Sequence, residues 1–483
     1  MKVLSWKYNI SEKVLNWNTC LLFVSLLIFL FNQLPFLLDI RPVMYDEPWY
    51  MNPACNLLNG NGLKNTLVGS GGNVNFVAPI LMAGGMAVFG ESLLVSRSIA
   101  VFCGFMSVII LHLIMNELKC NKGARAFGFG IFLSISVINS TFRYVRPEFA
   151  VALFVLIGLL FSFRYYRTKG LVDMIGLSIS VYLSSCSHPY SLYLFALVGC
   201  SLLLDVISTK DWKRISHMAL LIMSALGVIL SLIYVNKVVN HSVDSSGITQ
   251  RFSTIYMVKA MMVSMKYVFL KHGAYTIPFL LINIYSMLKF NECRWLILPN
   301  LIFILTFPVF FSSDLNMVGC SVLYYTLVSI VICCYVANKM FFDLNSRKQL
   351  ILSLLAICFC LGNFGISTIF NYCKRYEKCN SILVTEIDKI IPDNSLIFGS
   401  IRFWPFKMNG TWYCEVNRKK NVPDHYEYLI LSSQDEAVSG NYGLMKQVLD
   451  KKYEYEQIYL KQTKQYGVIT IWRYKNLYEH TIQ

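Results

Sequence analysis

The sequence predicts an α-helical polytopic membrane protein of about 11 transmembrane helices, followed by a C-terminal extracytoplasmic α/β soluble domain. Three observations carry this. Hydrophobic residues fill 55% of the 483 positions and charged residues only 14%, whereas about a quarter of a soluble domain is charged. Apolar runs approaching the ~20 residues needed to cross a bilayer recur along the chain. From about Asn371 those runs shorten to strand length while charges and turn residues rise, which marks a separate unit of ordinary domain size. Domains are therefore expected at 1–370 and 371–483.

The first run, about Asn18 to Leu38, follows Lys2, Lys7 and Lys13 and has no small-residue cleavage site. It reads as an uncleaved span with the N-terminus in the cytoplasm. Asp39 to Asn75 is rich in Gly and Asn and turn-forming, with a short interfacial helix expected from Pro48 to Leu58. Phe76 to Phe89 is short for a crossing and reads as interfacial or partly inserted, so the first outer loop extends over 39–92.

Further spans are expected at Leu93 to Met115, Phe127 to Thr141, Phe149 to Phe163, Leu171 to Ser185 and Tyr190 to Val206, then at Met218 to Val235. A long outer loop, Asn236 to Gly273, separates these from spans at Ala274 to Leu288, Trp295 to Phe311, Ser321 to Ala337 and Leu350 to Phe370. The connections assigned to the inside are basic, for example Lys119, Lys122 and Arg125, then Arg164, Arg167 and Lys169, then Lys210, Lys213 and Arg214. That is the pattern of the positive-inside rule, and the odd span number sends the C-terminus outside. Beyond it, Ser395 to Phe398, Tyr428 to Leu431, Glu456 to Leu460 and Val468 to Trp472 read as strands, with helices at Ser381 to Ile391 and Gly443 to Lys451.

The net charge of +16 does not indicate nucleic acid. The Lys and Arg are spread between apolar runs, with no basic tract or RNA-binding motif, and membrane lipids are the expected surroundings. Most of the 15 Cys lie inside apolar runs, where they act as small hydrophobes. Cys373 and Cys379 flank a charged segment; whether they pair in an oxidising compartment, which would leave Cys414 odd, is left open. No Cys/His cluster has zinc-ligand spacing.

Chemistry concentrates where charges stand on the outer side. Met44-Tyr45-Asp46-Glu47-Pro48-Trp49-Tyr50 follows the first span directly, and places two adjacent carboxylates among aromatics that suit a bilayer interface. A carboxylate beside another has a raised pKa and serves as a base nearer neutral pH. The plainer role is keeping a loop soluble. Arg143 and Arg146 occupy the outer turn Thr141-Phe142-Arg143-Tyr144-Val145-Arg146-Pro147-Glu148. Arginine's planar fork suits phosphate, although pairing with Glu148 or with lipid headgroups would also explain them.

Arg97 begins the second span and His188 stands in Ser187-His188-Pro189 at another outer turn. An interface anchor and a structural histidine are their plain alternatives. Lys64 lies in the Gly-rich loop, and the long outer loop carries Lys237, Arg251, Lys259, Lys266 and Lys271 against Asp244. Singly these are solvated charges, but together they favour an anionic ligand.

Taken in order, these features resemble the GT-C membrane glycosyltransferases, in the branch of protein O-mannosyltransferases and lipid A aminoarabinose transferases. The resemblance rests on Tyr45-Asp46-Glu47 with Asn56-Leu57-Leu58-Asn59-Gly60 downstream, and on Ala78-Pro79 to Phe89-Gly90 continuing through Ser96-Arg97-Ser98. Arg146-Pro147-Glu148 and Ser187-His188-Pro189 complete it. It covers the first ~200 residues by motif and the rest by layout. The resemblance implies a sugar carried on a polyprenyl phosphate, used at the outer face of the cell (inner) membrane with inversion, and a lipid, glycan or protein acceptor.

By the same resemblance Asp46 takes the acceptor proton, with Glu47 beside it and Glu148 as the second acidic position. Arg143, Arg146, Arg97, His188, Lys64 and Lys271 are the candidates for the donor phosphate. Many relatives carry a Lys just before the Pro of the second motif; here the run is Asn73-Val74-Asn75-Phe76-Val77-Ala78-Pro79, and Lys64 is the stand-in. A divalent cation, Mg²⁺ or Mn²⁺, would fall to Asp46 and Glu148, and is left open. A polyprenyl-linked glycan flippase or other transporter is the rival from another class, but transporters place ionisable groups at broken helices near the midplane. A non-catalytic scaffold is the third reading.

Overall fold

The computed structural model describes residues 17–37, 43–44, 46–67, 75–239, 262–263, 265–271, 273–310, 315–343, 380–414, 422–439 and 443–475. The span expected at Leu350 to Phe370, the pair Cys373 and Cys379, the boundary at 370/371, and Asp244, Arg251 and Lys259 lie outside these residues.

The chain opens with α1 (Trp17–Leu37), α2 (Asp46–Leu58), α3 (Val77–Phe89) and α4 (Leu93–Glu117). Ser92 sets the start of α4: its side chain accepts from the Val95 N–H at 3.2 Å, which satisfies one of the donors a helix N-terminus leaves open. Arg97 thereby sits one turn inside the helix. α5 (Lys122–Ser134) and α6 (Ser136–Thr141) replace the single span expected at Phe127 to Thr141. The helix breaks where Ile135 adopts an extended conformation, and the Asn139 side chain donates to the Leu133 carbonyl at 2.7 Å. A buried carbonyl freed by a break needs such a partner.

The bundle continues through α7 (Glu148–Thr168), α8 (Leu171–Ser187), α9 (Tyr190–Ser208) and α10 (Ile215–Ile233), which runs into a π turn at Tyr234–Val239. A second π turn, Tyr267–Lys271, leads to α11 (Gly273–Lys289), α12 (Arg294–Phe310) and α13 (Leu315–Asp343). Among the described residues six helices are long and apolar enough to cross a bilayer, and α3, α8, α11 and α12 are shorter apolar helices. The chain is an integral membrane protein.

Close packing draws the first helices together. Gly104 of α4 is where the rings of Phe29 and Phe142 rest, and a Cβ there would strike both. Those rings meet edge to face at 5.7 Å, so α1, α4 and the Phe142 turn share one contact. Glycine is what allows an approach this close.

The two ends of the bundle differ. At one end Arg164 pairs with Asp173, Arg167 with Glu117, and both Lys169 and Arg214 with Asp205. Glu148 begins the same helix that Arg164 and Arg167 close, so it stands about 25–30 Å away at 1.5 Å per residue. The N-terminus of α4, the C-terminus of α8 and the end of α1 lie at that second end.

The C-terminal unit also packs there. It consists of α14 (Asn380–Ile390), β1 (Leu396–Gly399), β2 (Thr411–Cys414), β3 (Tyr428–Ser432), α15 (Ser433–Ser439), α16 (Gly443–Asp450), β4 (Tyr455–Thr463) and β5 (Gly467–Tyr474). The sheet order is β2-β1-β3-β5-β4, parallel over the first three strands and antiparallel over the last pairs. All five residues of β3 are buried, as suits a central strand covered on both faces. Four strands fall where the alternation placed them. β2 lies outside the strands expected from the sequence: Thr411-Trp412-Tyr413-Cys414 is short and follows a turn-rich stretch.

Candidate active site

The first turn of α2 divides the adjacent carboxylates. Successive helix residues point about 100° apart, and here that turns Glu47 inward and leaves Asp46 half exposed. Glu47 is fully buried and takes both arms of Arg97, Nε to Oε1 at 2.9 Å and Nη2 to Oε2 at 2.8 Å. It also accepts from the Met44 N–H at 2.9 Å, as the acid of a capping box does, and from the Val145 N–H at 3.1 Å. One carboxylate thus ties together the entry to α2, the first turns of α4 and the turn that carries Arg143 and Arg146. The sequence assigned Glu47 to the chemistry and Arg97 to the phosphate; the structure places both in the interior, bound to each other.

Asp46 faces a second arginine. Its Oδ2 lies 3.3 Å from Nε of Arg146, whose Nη2 is 3.0 Å from Oε1 of Glu148. The guanidinium therefore stands between two carboxylates, one half exposed and one buried. Burial beside the protein raises the Asp46 pKa above the ordinary carboxylate value; Arg146 opposes this, while Glu148 and Glu47 add to it. Arg143 is buried in the same turn.

His188 caps the C-terminus of α8 and is buried. Its Nδ1 is 3.0 Å from the hydroxyl of Tyr324 on α13, and its ring lies 4.8 Å from that of Tyr190. Burial holds its pKa below the usual histidine range; Glu148 pulls it the other way, and Arg146 adds a smaller lowering. At neutral pH it is an uncharged imidazole, able to donate a hydrogen bond but not to act as a standing cation. Sequence reasoning did not single out Tyr324, which lies in an apolar run 136 positions away and carries no local signal.

Lys64 is not brought to this cluster. It is exposed, and its backbone carbonyl accepts from the Asn56 side chain at 2.7 Å, which fixes it at the far end of α2, about 15 Å along the axis from Asp46. The Lys271 side chain lies outside what is described. Among the described residues no three His, Cys, Asp or Glu groups stand together as metal ligands. Asp46 and Glu148 are separated by the guanidinium of Arg146, and a divalent cation would have to displace it; this arrangement does not fit Mg²⁺ or Mn²⁺.

The C-terminal unit reaches the site through Val43. The Val43 N–H donates to the Tyr466 hydroxyl at 2.9 Å, and the Val43 carbonyl accepts from Arg402 Nε at 3.1 Å. Tyr466 in turn donates to Asn380 at 2.9 Å, Arg402 pairs with Asp435 at 3.1 Å, and its guanidinium lies 4.8 Å from the Tyr466 ring centre. The residue before Met44 is thus held on both its polar atoms by a unit more than 350 positions downstream.

No family model matches the sequence, and no curated protein does. Among solved structures, ArnT from Cupriavidus metallidurans bound to undecaprenyl phosphate is 12% identical with a TM-score of 0.57. The match covers 94% of this chain and 97% of that one. The apo form of the same protein matches at 11% identity and the same TM-score and coverage. The likeness runs nearly end to end, and this chain shares its overall fold with that protein.

Proposed function

We propose that this chain transfers a sugar from a polyprenyl-phosphate donor to an acceptor hydroxyl at the outer face of the membrane, with inversion at the anomeric carbon. The observation that carries the proposal is the line Asp46–Arg146–Glu148, a half-exposed carboxylate and a guanidinium at the bundle end opposite the basic turns. The solved ArnT of like fold was crystallised with undecaprenyl phosphate, which supports a donor of that class. On this reading there are about eleven spans, the N-terminus is cytoplasmic, and residues 371–483 form the extracytoplasmic domain.

Asp46 accepts the proton of the acceptor hydroxyl as its oxygen bonds to the anomeric carbon. The bond from that carbon to the phosphate oxygen breaks on the opposite face, and the lipid phosphate leaves with one further negative charge. Arg146, with Arg143 in the same turn, faces that charge, and a fixed guanidinium is worth most where charge develops. His188 adds a neutral donor. Glu148 holds Arg146 from behind, and Glu47 with Arg97 holds the turn from which Asp46 projects. Phosphate is a good leaving group, so no acid is required.

Asp46→Asn keeps the shape and removes the base. Transfer from a radiolabelled polyprenyl-phosphate sugar by the purified, reconstituted variant is expected to fall by at least 10², the usual weight of general base catalysis, with protein abundance unchanged. Full activity in that variant would remove the assignment. Movement of the labelled lipid across the bilayer with no glycosidic product would favour the transporter.

A further inference from the structure

Between α2 and the C-terminal unit is a cavity of about 230 Å³, lined on one wall by Asn52, Asn56 and Thr66 and on the other by Trp404 and Trp412. Among the described residues Glu91 is the only charged one on its lining. The cavity is below the usual range for drug-sized ligands and suits one small polar ring.

Its polar wall is built and incompletely used. The Asn52 carboxamide oxygen accepts from the Thr66 N–H at 2.7 Å, the Thr66 hydroxyl at 3.1 Å and the Asn56 amide at 3.1 Å. The Asn56 amide also donates to the Lys64 carbonyl and the Thr66 hydroxyl. Among the described residues no hydrogen bond engages the Asn52 amide group or the Asn56 carboxamide oxygen, and both residues are at least nine-tenths buried. The opposite wall repeats the pattern. Trp412 donates its indole N–H to the Lys407 carbonyl at 2.6 Å, whereas that of Trp404, 4% exposed, has no partner among the described residues.

We infer that this cavity binds one uncharged sugar ring of the acceptor. A donor, an acceptor and an indole N–H match a ring of hydroxyls, the indole faces match its C–H surface, and the Glu91 carboxylate on the lining disfavours phosphate. Asn52 and Asn56 follow Asp46 by six and ten residues on the same helix, about 9 and 15 Å along its axis. A glycan gripped here extends toward the carboxylate. The inference rests on the proposed transferase activity for its meaning, though binding itself does not require it.

The test is saturation-transfer NMR on the full chain in detergent, using the methyl glycosides of glucose, galactose, mannose and N-acetylglucosamine, with glucose 6-phosphate as the anionic control. At least one neutral glycoside is expected to bind and the control not to. Asn59→Trp, which covers the cavity from an exposed position on its rim, should abolish the signal. Trp404→Phe, which keeps the packing and loses the N–H, should weaken binding about five-fold, the weight of one neutral hydrogen bond. Asp46→Asn should bind as the wild type does. No glycoside bound, or a signal indifferent to Asn59→Trp, overturns the inference even if the protein transfers sugar. Binding intact in a protein that transfers nothing overturns the proposed function instead.

Discussion

Asp46 and Glu47 are neighbours of the same chemistry with opposite surroundings. Removing one partner of a buried ion pair strands the other charge, at a cost of about 3–5 kcal/mol. Glu47→Ala should therefore lower the melting temperature of the detergent-solubilised protein steeply, while Asp46→Asn should leave it near the wild-type value and abolish turnover. An Asp46→Asn variant that unfolds, with an active and stable Glu47→Ala, would exchange the two roles.

The pH dependence belongs to the same residue. A base acts when ionised, and the Asp46 pKa lies above the ordinary carboxylate value because of burial. Activity should thus decline on acidification at a pH higher than an exposed Asp would give. Glu148 contributes to the rise, so Glu148→Gln should move the acid limb of kcat/KM toward lower pH, whatever its effect on the maximum. An acid limb that moves upward would contradict the assignment.

At the scale of the element, α2 is a helix that should not run straight through. Pro53 lies inside it and has no N–H for the carbonyl of Trp49 four residues earlier. The Asn65 side chain supplies the missing donor to that carbonyl at 3.0 Å. The Asn-rich stretch after α2 is thereby explained as a strap along the helix: Asn65 mends the proline gap, and Thr66 closes on Asn52. Asn65→Leu should cost about 1–3 kcal/mol, the penalty of a buried carbonyl left unbonded, readable as a fall in thermal stability. An unchanged stability would mean that water replaces the amide.

Across the whole molecule, the C-terminal unit touches the neighbourhood of Asp46 and Glu47 through the backbone of Val43. Tyr466 and Arg402 hold both polar atoms of Val43, Val43 adjoins Met44, and Met44 is bonded to Glu47. Tyr466→Phe leaves the buried Val43 N–H without its acceptor, so about 1–3 kcal/mol of positioning is at stake. We expect kcat to fall by roughly ten-fold or more with a smaller change in KM for the donor. A change confined to stability, with turnover per folded molecule intact, would make the contact structural only.

The sequence by itself determined where the chain is apolar enough for a bilayer, where short alternating runs become strands, and which segments between apolar runs carry paired carboxylates and arginines. These are properties of local periodicity and composition, and hydrocarbon thickness and strand pleat act on any stretch of chain. Only the tertiary structure decided which carboxylate is buried, since the partner of Glu47 is 50 positions away and that of Val43 is 423. It also set Lys64 at the far end of α2, joined Tyr324 to His188, and formed the cavity between α2 and the C-terminal unit. Side-chain direction on a helix and the meeting of distant surfaces depend on how the helices pack, and no local pattern records that.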